Sequence, residues 1–146
     1  MSDSVFFDTN LLVYSYEKKS DRKCTVCRDF VLDCFARKVH LAVSNQVLAE
    51  FFSVITTKSE SPLTIGEAKK LILLITSSSA WDKLNYTTQT VIRAAALSDE
   101  HGLSIWDAFI AATMLEHGIT TIYTENEKDF KKMPGITVIN PLKHQT

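Results

Sequence analysis

The chain has few of the features that mark secreted or membrane-bound proteins. It contains only three cysteines, an odd number, in 146 residues, so a disulfide framework is not expected. Its N-terminus has no basic segment followed by a long apolar stretch, which argues against a secretory signal. No apolar run approaches the roughly 18 residues needed to cross a bilayer. We therefore expect a cytoplasmic protein without a membrane segment.

An excess of positive charge is also missing. The formal net charge is −1, from 16 basic and 17 acidic residues. This balance excludes a protein that holds nucleic acid by overall charge alone. Two lysine-rich segments, residues 18–23 and 128–132, could attract nucleic acid locally or could be ordinary solvated surface.

The composition is that of one globular domain. Apolar residues make up 45% and charged residues 23% of the chain, which permits a packed core. The length fits a single domain over residues 1–146. Cys24, Cys27 and Cys34 recur at helical spacing with no second ligand pair, so they are expected on a buried helix face and not at a zinc site.

Short apolar runs alternate with helical patterns along the chain. Strands are predicted at residues 5–7, 41–43, 83–85, 121–123 and 137–139. Helices are predicted over 21–37, 45–60, 65–76, 88–101 and 105–117, with cap residues or glycines at several of their ends. This alternation predicts an α/β fold with a central, mainly parallel sheet of four or five strands covered on both faces.

Acidic residues follow several of these strands. Asp8 comes directly after the first strand, Glu50 lies in the helix after the second, and Asp107 lies in the first turn of a later helix. Ligands of parallel sheets bind at the carboxyl ends of the strands. Carboxylates gathered there repel each other unless a cation is bound, and oxygen ligands favour magnesium or manganese. The pattern therefore indicates a metal site suited to phosphoryl chemistry.

Each acidic residue also has a purely structural explanation. Asp8 could cap a helix beginning at Thr9, and Asp107 could complete a capping box with Ser104. Glu50 is harder to explain in this way because its sequence neighbours are apolar. A carboxylate in such a setting needs a partner.

Five ordered segments together resemble the PIN-domain nucleases, and particularly the VapC-like toxins of bacterial toxin–antitoxin pairs. They are VFFDTNLLVY at 5–14, SNQVLAEF at 44–51, GLSIWDAFIAA at 102–112, IYTENEKDF at 122–130 and PGITVINP at 134–141. Each segment alone is weakly specific, but the set covers nearly the whole chain in the right order. The resemblance implies a three-layer α/β/α PIN-like fold.

The resemblance also implies a set of site residues. Asp8, Glu50 and Asp107 match the family's principal metal ligands, and Asp129 is the preferred fourth acid. Polar residues expected to support them are Asn10, Thr124 and Asn126. Asn126 stands where the family often has Asp, which puts a tightly held second metal in doubt.

The activity implied by the resemblance is that of a magnesium-dependent endoribonuclease that leaves a 5′-phosphate and a 3′-hydroxyl, with Mn2+ as a substitute ion. A homodimer and a small antitoxin that covers the site are implied as well. One alternative is a non-catalytic RNA- or partner-binding module of the same fold. Another is a phosphotransfer domain with Asp8 as nucleophile, but the second acid usual after the first strand of such domains is absent.

Overall fold

In the computed structural model, which describes residues 3–143, five strands alternate with seven helices. The strands are β1 (Val5–Phe7), β2 (Leu41–Ser44), β3 (Asp82–Leu84), β4 (Thr121–Tyr123) and β5 (Thr137–Ile139). The helices are α1 (Thr9–Tyr16), α2 (Arg22–Phe35), α3 (Asn45–Thr57), α4 (Ile65–Ser77), α5 (Thr88–His101), α6 (Ile105–Glu116) and α7 (Glu127–Phe130). The predicted domain limits include residues 1–2 and 144–146, which lie outside the described part.

The strands form one parallel sheet in the order β3-β2-β1-β4-β5. From β1 the chain moves outward through β2 to β3, then returns to the other side of β1 for β4 and β5. The strand order therefore reverses between β1 and β4. In open parallel sheets, ligands bind in the crevice outside the carboxyl ends of the strands at such a reversal. The topology therefore predicts a ligand site at the carboxyl end of β1.

The helices cover both faces of this sheet. Parallel crossovers are right-handed, so the reversal places α1–α4 on one face and α5–α7 on the other. The contacts agree, because α1 packs on α2 and α3, α3 packs on α4, and α6 packs on α5 and α7. Large side chains buried in the core include Phe6, Phe7, Phe51, Trp81 and Phe130. The architecture is the predicted three-layer α/β/α fold.

Most predicted elements are confirmed, with differences at their ends. The third strand lies one residue earlier than predicted, α1 was expected only if Asp8 acts as a helix cap, and the four-residue α7 was not predicted. The three cysteines are free and buried, as expected from their helical spacing. No helix within residues 3–143 combines the length and apolar character needed to cross a membrane.

Candidate active site

Asp8 lies at the strand reversal and is nearly enclosed, with 7% of its surface exposed. It is the N-cap of α1, because its Oδ1 accepts a hydrogen bond from Thr9 N at 2.8 Å. Its Oδ2 accepts a hydrogen bond from Thr124 Oγ1 at 2.7 Å, and Thr124 is fully buried beyond the end of β4. The capping role and the site role therefore coexist in one carboxylate, whose orientation is fixed at both oxygens.

Burial raises the pKa of Asp8, and the negative charge of Asp107 raises it further. The hydrogen bonds from Thr124 and Thr9 offset only part of this rise. The protein therefore holds this carboxylate in a setting that disfavours its charge, which a cation would reverse.

Glu50 is delivered to the same place by α3, which Ser44 caps by accepting a hydrogen bond from Val47 N. It is half-buried, and Thr9 Oγ1 lies 3.5 Å from its Oε1. Burial and the neighbouring charge of Asp8 raise the pKa of Glu50. The apolar sequence context of Glu50 thus corresponds to a partly desolvated carboxylate facing another acid.

Asp107 comes from the opposite helical layer, in the first turn of α6. Ser104 Oγ accepts a hydrogen bond from its backbone N–H at 3.2 Å, which is one of the two bonds of the predicted capping box. The Asp107 carboxylate accepts a hydrogen bond from Asn126 Nδ2 at 3.2 Å. Burial raises its pKa, and the charge of Asp129 contributes to the rise. Unlike the Asp8 carboxylate, which itself caps α1, Asp107 takes part in its cap through its backbone N–H, and its carboxylate contacts Asn126.

The segment after β4 ties these carboxylates together. Thr124 Oγ1 accepts a hydrogen bond from Asn126 N at 2.9 Å while it donates to Asp8. Asn126 in turn binds Asp107, so a continuous chain of hydrogen bonds joins Asp8 to Asp107. The two supporting residues predicted after β4 therefore occupy connecting positions between two predicted ligands.

Asp129 is placed differently from the other three acids. It does not line the cleft, its side chain is 41% exposed, and its Oδ1 lies 3.4 Å from Lys132 Nζ. It is nevertheless close enough to raise the pKa of Asp107. Its role as a fourth acid stays a prediction.

The three acids line one cleft of about 390 Å³. Its lining comprises Asp8, Thr9, Asn10, Val13, Tyr14, Glu17, Glu50, Val54, Trp106, Asp107, Ile110 and Asn126. No lysine or arginine of the described ranges contributes to this lining. The cleft is thus strongly acidic on a protein of nearly neutral net charge.

The donor set of the cleft fits a hard divalent cation, although the side chains do not yet form a finished metal site. Within residues 3–143, no group of three or more Asp, Glu, His or Cys side chains has the spacing of a complete site. The available donors are nonetheless oxygens, which magnesium and manganese prefer. Asn10 Oδ1 adds a further buried oxygen that has no hydrogen-bond partner among the described residues. Asp8, Glu50, Asp107 and Asn10 are therefore the residues that could hold such an ion.

Three further residues contribute to the site without having been predicted. Tyr14 and Trp106 line the cleft, and Gln46 Nε2 donates a hydrogen bond to Trp106 O at 3.2 Å. Gln46 also hydrogen-bonds Glu50, one turn further along α3. Only the helical spacing of Gln46 and Glu50 was available in the sequence as a signal for this pairing.

The two lysine-rich segments are largely occupied by internal ion pairs. Lys19 pairs with Glu60 at 2.9 Å and Lys23 with Glu125 at 2.6 Å. In the second segment Lys131 and Lys132 pair with acids on α7. These contacts favour the interpretation of both segments as ordinary surface.

Comparison with known proteins places this architecture in a family. The PIN domain family profile matches residues 5–136. No curated protein sequence matches the chain significantly. A toxin–antitoxin complex from Klebsiella pneumoniae is similar in structure, with a TM-score of 0.65 and 25% identity over 94% of this chain and 98% of that one.

Two more distant structures share the fold. VapC20 of Mycobacterium tuberculosis, a toxin that cleaves the sarcin–ricin loop, has a TM-score of 0.66 and 18% identity over 88% of this chain and 94% of that one. VapBC2 of Rickettsia felis, bound to promoter DNA, has a TM-score of 0.65 and 22% identity over 93% of this chain and 97% of that one. The family match covers the strand reversal and every residue of the acidic cleft. The chain therefore belongs to the PIN domain family.

Proposed function

We propose that this protein is a magnesium-dependent endoribonuclease and the toxin of a toxin–antitoxin pair. One observation carries the proposal: Asp8, Glu50 and Asp107 meet around a single cleft without a cationic partner. None of them forms an ion pair with a side chain in residues 3–143. Burial raises all three pKa values, and the charge of a neighbouring acid adds to each rise, with Asp129 as that neighbour for Asp107. A divalent cation would balance this charge.

The residues of the cleft would have different roles according to their positions. Asp8, Glu50 and Asp107 would hold the ion, with Asn10 close by. A bound Mg2+ would offset phosphate charge and lower the pKa of water, so that hydroxide is available to attack phosphorus. Thr124 keeps the Asp8 carboxylate in one orientation, and Asn126 does the same for Asp107. Such supporting contacts commonly matter to metal sites almost as much as the ligands.

Support for the toxin role comes from the structural likeness. The Klebsiella pneumoniae structure is a toxin–antitoxin complex, and the Mycobacterium tuberculosis toxin cleaves the sarcin–ricin loop. We infer by analogy an RNA substrate, a small antitoxin that covers the cleft, a homodimer and a cytoplasmic location. Products would carry a 5′-phosphate and a 3′-hydroxyl, and Mn2+ would replace Mg2+.

The proposal is tested by RNA cleavage with Mg2+, with Mn2+ and with EDTA. Total bacterial RNA serves as the probe, and the ends of the products are mapped by sequencing. We expect cleavage in either metal, none in EDTA, and a loss of at least about a hundredfold in Asp8→Asn. Glu127→Gln is the matched control, because Glu127 is an acid outside the cleft that pairs with Lys131 and Lys143.

A non-catalytic RNA- or partner-binding module is the second candidate. It is favoured by the incomplete spacing of the metal-ligand groups and by Asn126 at the fourth acidic position. RNA binding without cleavage in any metal would support it. Cleavage that persists both in EDTA and in Asp8→Asn would contradict the metal-nuclease proposal.

A further inference from the structure

Trp106 is a large aromatic residue left open at the rim of the acidic cleft. It is 63% exposed, whereas Trp81, the other tryptophan, is 2% exposed and belongs to the core. Trp106 lines the cleft directly before Asp107 in sequence. Its exposure is therefore located beside a candidate metal ligand.

The backbone that carries this indole is fixed from two directions. Ser104 caps the start of α6, and Gln46 Nε2 donates to Trp106 O at 3.2 Å from α3. Gln46 is itself buried. The backbone that presents the ring is thus held between helices from the two layers of the fold, and binding a ligand there would require little ordering of the chain.

Exposed aromatic and amide groups also follow β2 and β3, on segments that contact α6. Tyr86, which is exposed, packs edge-on against Phe109 with ring centroids 4.7 Å apart, and Phe109 lies one turn after Trp106 on α6. Asn45 and Asn85, which directly follow β2 and β3, are hydrogen-bonded to each other. We call Trp106, Tyr86, Asn45 and Asn85 the aromatic rim.

We propose that the aromatic rim is a nucleobase subsite, in which Trp106 stacks on an unpaired base next to the phosphate in the cleft. This inference rests on the proposed ribonuclease function. Trp106 belongs to both the rim and the cleft, where it stands beside Asp107. Aromatic rings stack on bases of any sequence, and exposed amides suit the hydrogen-bonding edges of bases.

The lining of the cleft leaves affinity for RNA to contacts other than protein charge. No lysine or arginine of the described chain lines the cleft, so the RNA backbone gains little attraction there from protein charge. Stacking then has to supply part of the affinity for RNA. Trp106 is the exposed aromatic residue of the cleft best placed to provide it.

The two tryptophans permit a direct test by intrinsic fluorescence. Because Trp81 is buried, a ligand-dependent change in emission reports mainly on Trp106. Short oligoadenylate, oligouridylate and an abasic oligomer of the same length are titrated in Ca2+, with gels to verify that the RNA stays intact. We expect quenching by both RNAs and none by the abasic oligomer.

Three variants separate stacking from other effects. Trp106→Ala should weaken oligoadenylate binding about tenfold, within the range of one base stacked on an aromatic ring, whereas Trp106→Phe should retain most of the affinity. Ile65→Ala, which removes another exposed apolar side chain on α4, should bind as the wild type does. Binding is followed by the anisotropy of a labelled oligomer, which does not depend on tryptophan.

Four other results would contradict the subsite, and a fifth would contradict only the proposed function. Equal affinity of Trp106→Ala and wild type would overturn it, and so would equal quenching by the abasic oligomer. Acrylamide, which quenches the fluorescence of exposed tryptophan, gives a further test. If it quenches Trp106 less as the protein concentration rises, Trp106 lies in an interface between two copies of the chain. Loss of that quenching only on adding a co-expressed antitoxin, without any effect of RNA, would make the rim a protein contact. RNA binding with the expected signature but no cleavage in Mg2+ would refute the proposed function and leave the subsite standing.

Discussion

Two groups of acidic residues lie at the same end of the sheet and differ in how their charge is balanced. Around the cleft, Asp8, Glu50 and Asp107 have raised pKa values and form no ion pair with the described residues. After β4, Glu125 and Glu127 have pKa values below the ordinary range, because lysines bind both of them. Lysine side chains thus pair with the acids after β4, and the three cleft acids have no such partner among the described residues.

Under the proposed function, this difference separates acids whose charge the protein balances from acids whose charge a bound cation would balance. Glu125 accepts hydrogen bonds from Tyr14 at 2.7 Å and Lys23 at 2.6 Å, which outweigh its partial burial. Its charge is therefore satisfied within the protein. Asp8, Glu50 and Asp107 have hydrogen-bond donors that orient them, but no ion-pair partner among residues 3–143. Proximity of acids alone would not have distinguished the two groups, whereas their partners do.

Among changes that test this comparison, we expect the largest effect from substitution of Thr124, the buried donor to Asp8. Thr124→Val keeps the shape of the side chain but removes the hydroxyl that joins Asp8 to Asn126. We expect kcat/KM for RNA cleavage in Mg2+ to fall about 10- to 100-fold, as for other supporting residues of metal sites.

Thr124→Ser is the matched control, because it keeps the hydroxyl and should retain most of the activity. Circular dichroism verifies that both variants are folded. An activity of Thr124→Val within twofold of wild type would mean that the orientation of Asp8 does not depend on this hydrogen bond.

A smaller effect is expected on the balanced side of the comparison. Lys23→Met removes the cation from Glu125, so the pKa of Glu125 should rise, as measured by NMR titration of its carboxyl carbon. RNA cleavage should stay within about twofold of wild type, because the change is at the surface and outside the cleft lining.

The pH dependence of this effect has a defined sign. A lowered carboxyl pKa stabilises the folded state above the ordinary glutamate pKa of 4.5 and ceases to do so as the pH falls through the lowered value. Lys23→Met should therefore lower Tm slightly at neutral pH, and the difference from wild type should vanish in acid. A constant difference across that pH range would contradict the ion-pair explanation.

Much of the fold could be predicted from local patterns. Apolar runs identified all five strands. Cap residues marked helix ends, and Ser44 caps α3 as expected. The third strand was predicted one residue too late, because its limits depend on pairing with β2. That pairing joins residues 82–84 to residues 42–44 and leaves Asn85 outside the strand. The α7 helix was not predicted, since four residues carry too little periodicity to be recognised.

The site was only partly predictable because its contacts join distant parts of the chain. Asp8, Glu50 and Asp107 could be selected from strand ends, apolar context and family pattern, and all three line the cleft. The hydrogen bonds of Thr124 to Asp8 and of Gln46 to Trp106 span 116 and 60 residues. No local pattern predicts such distances. For Asp8, helix capping and a role in the site are not alternatives, because one oxygen accepts the capping bond and the other accepts the bond from Thr124.

The central claim, that the three unpaired cleft acids form a cation site, is tested most directly by calorimetric titration of the metal-free protein with Mn2+. We predict saturable binding by wild type and by Glu125→Gln. Binding should be at least about tenfold weaker in Asp8→Asn, Glu50→Gln and Asp107→Asn. Absence of binding to wild type, or equal binding by all five proteins, would contradict the account.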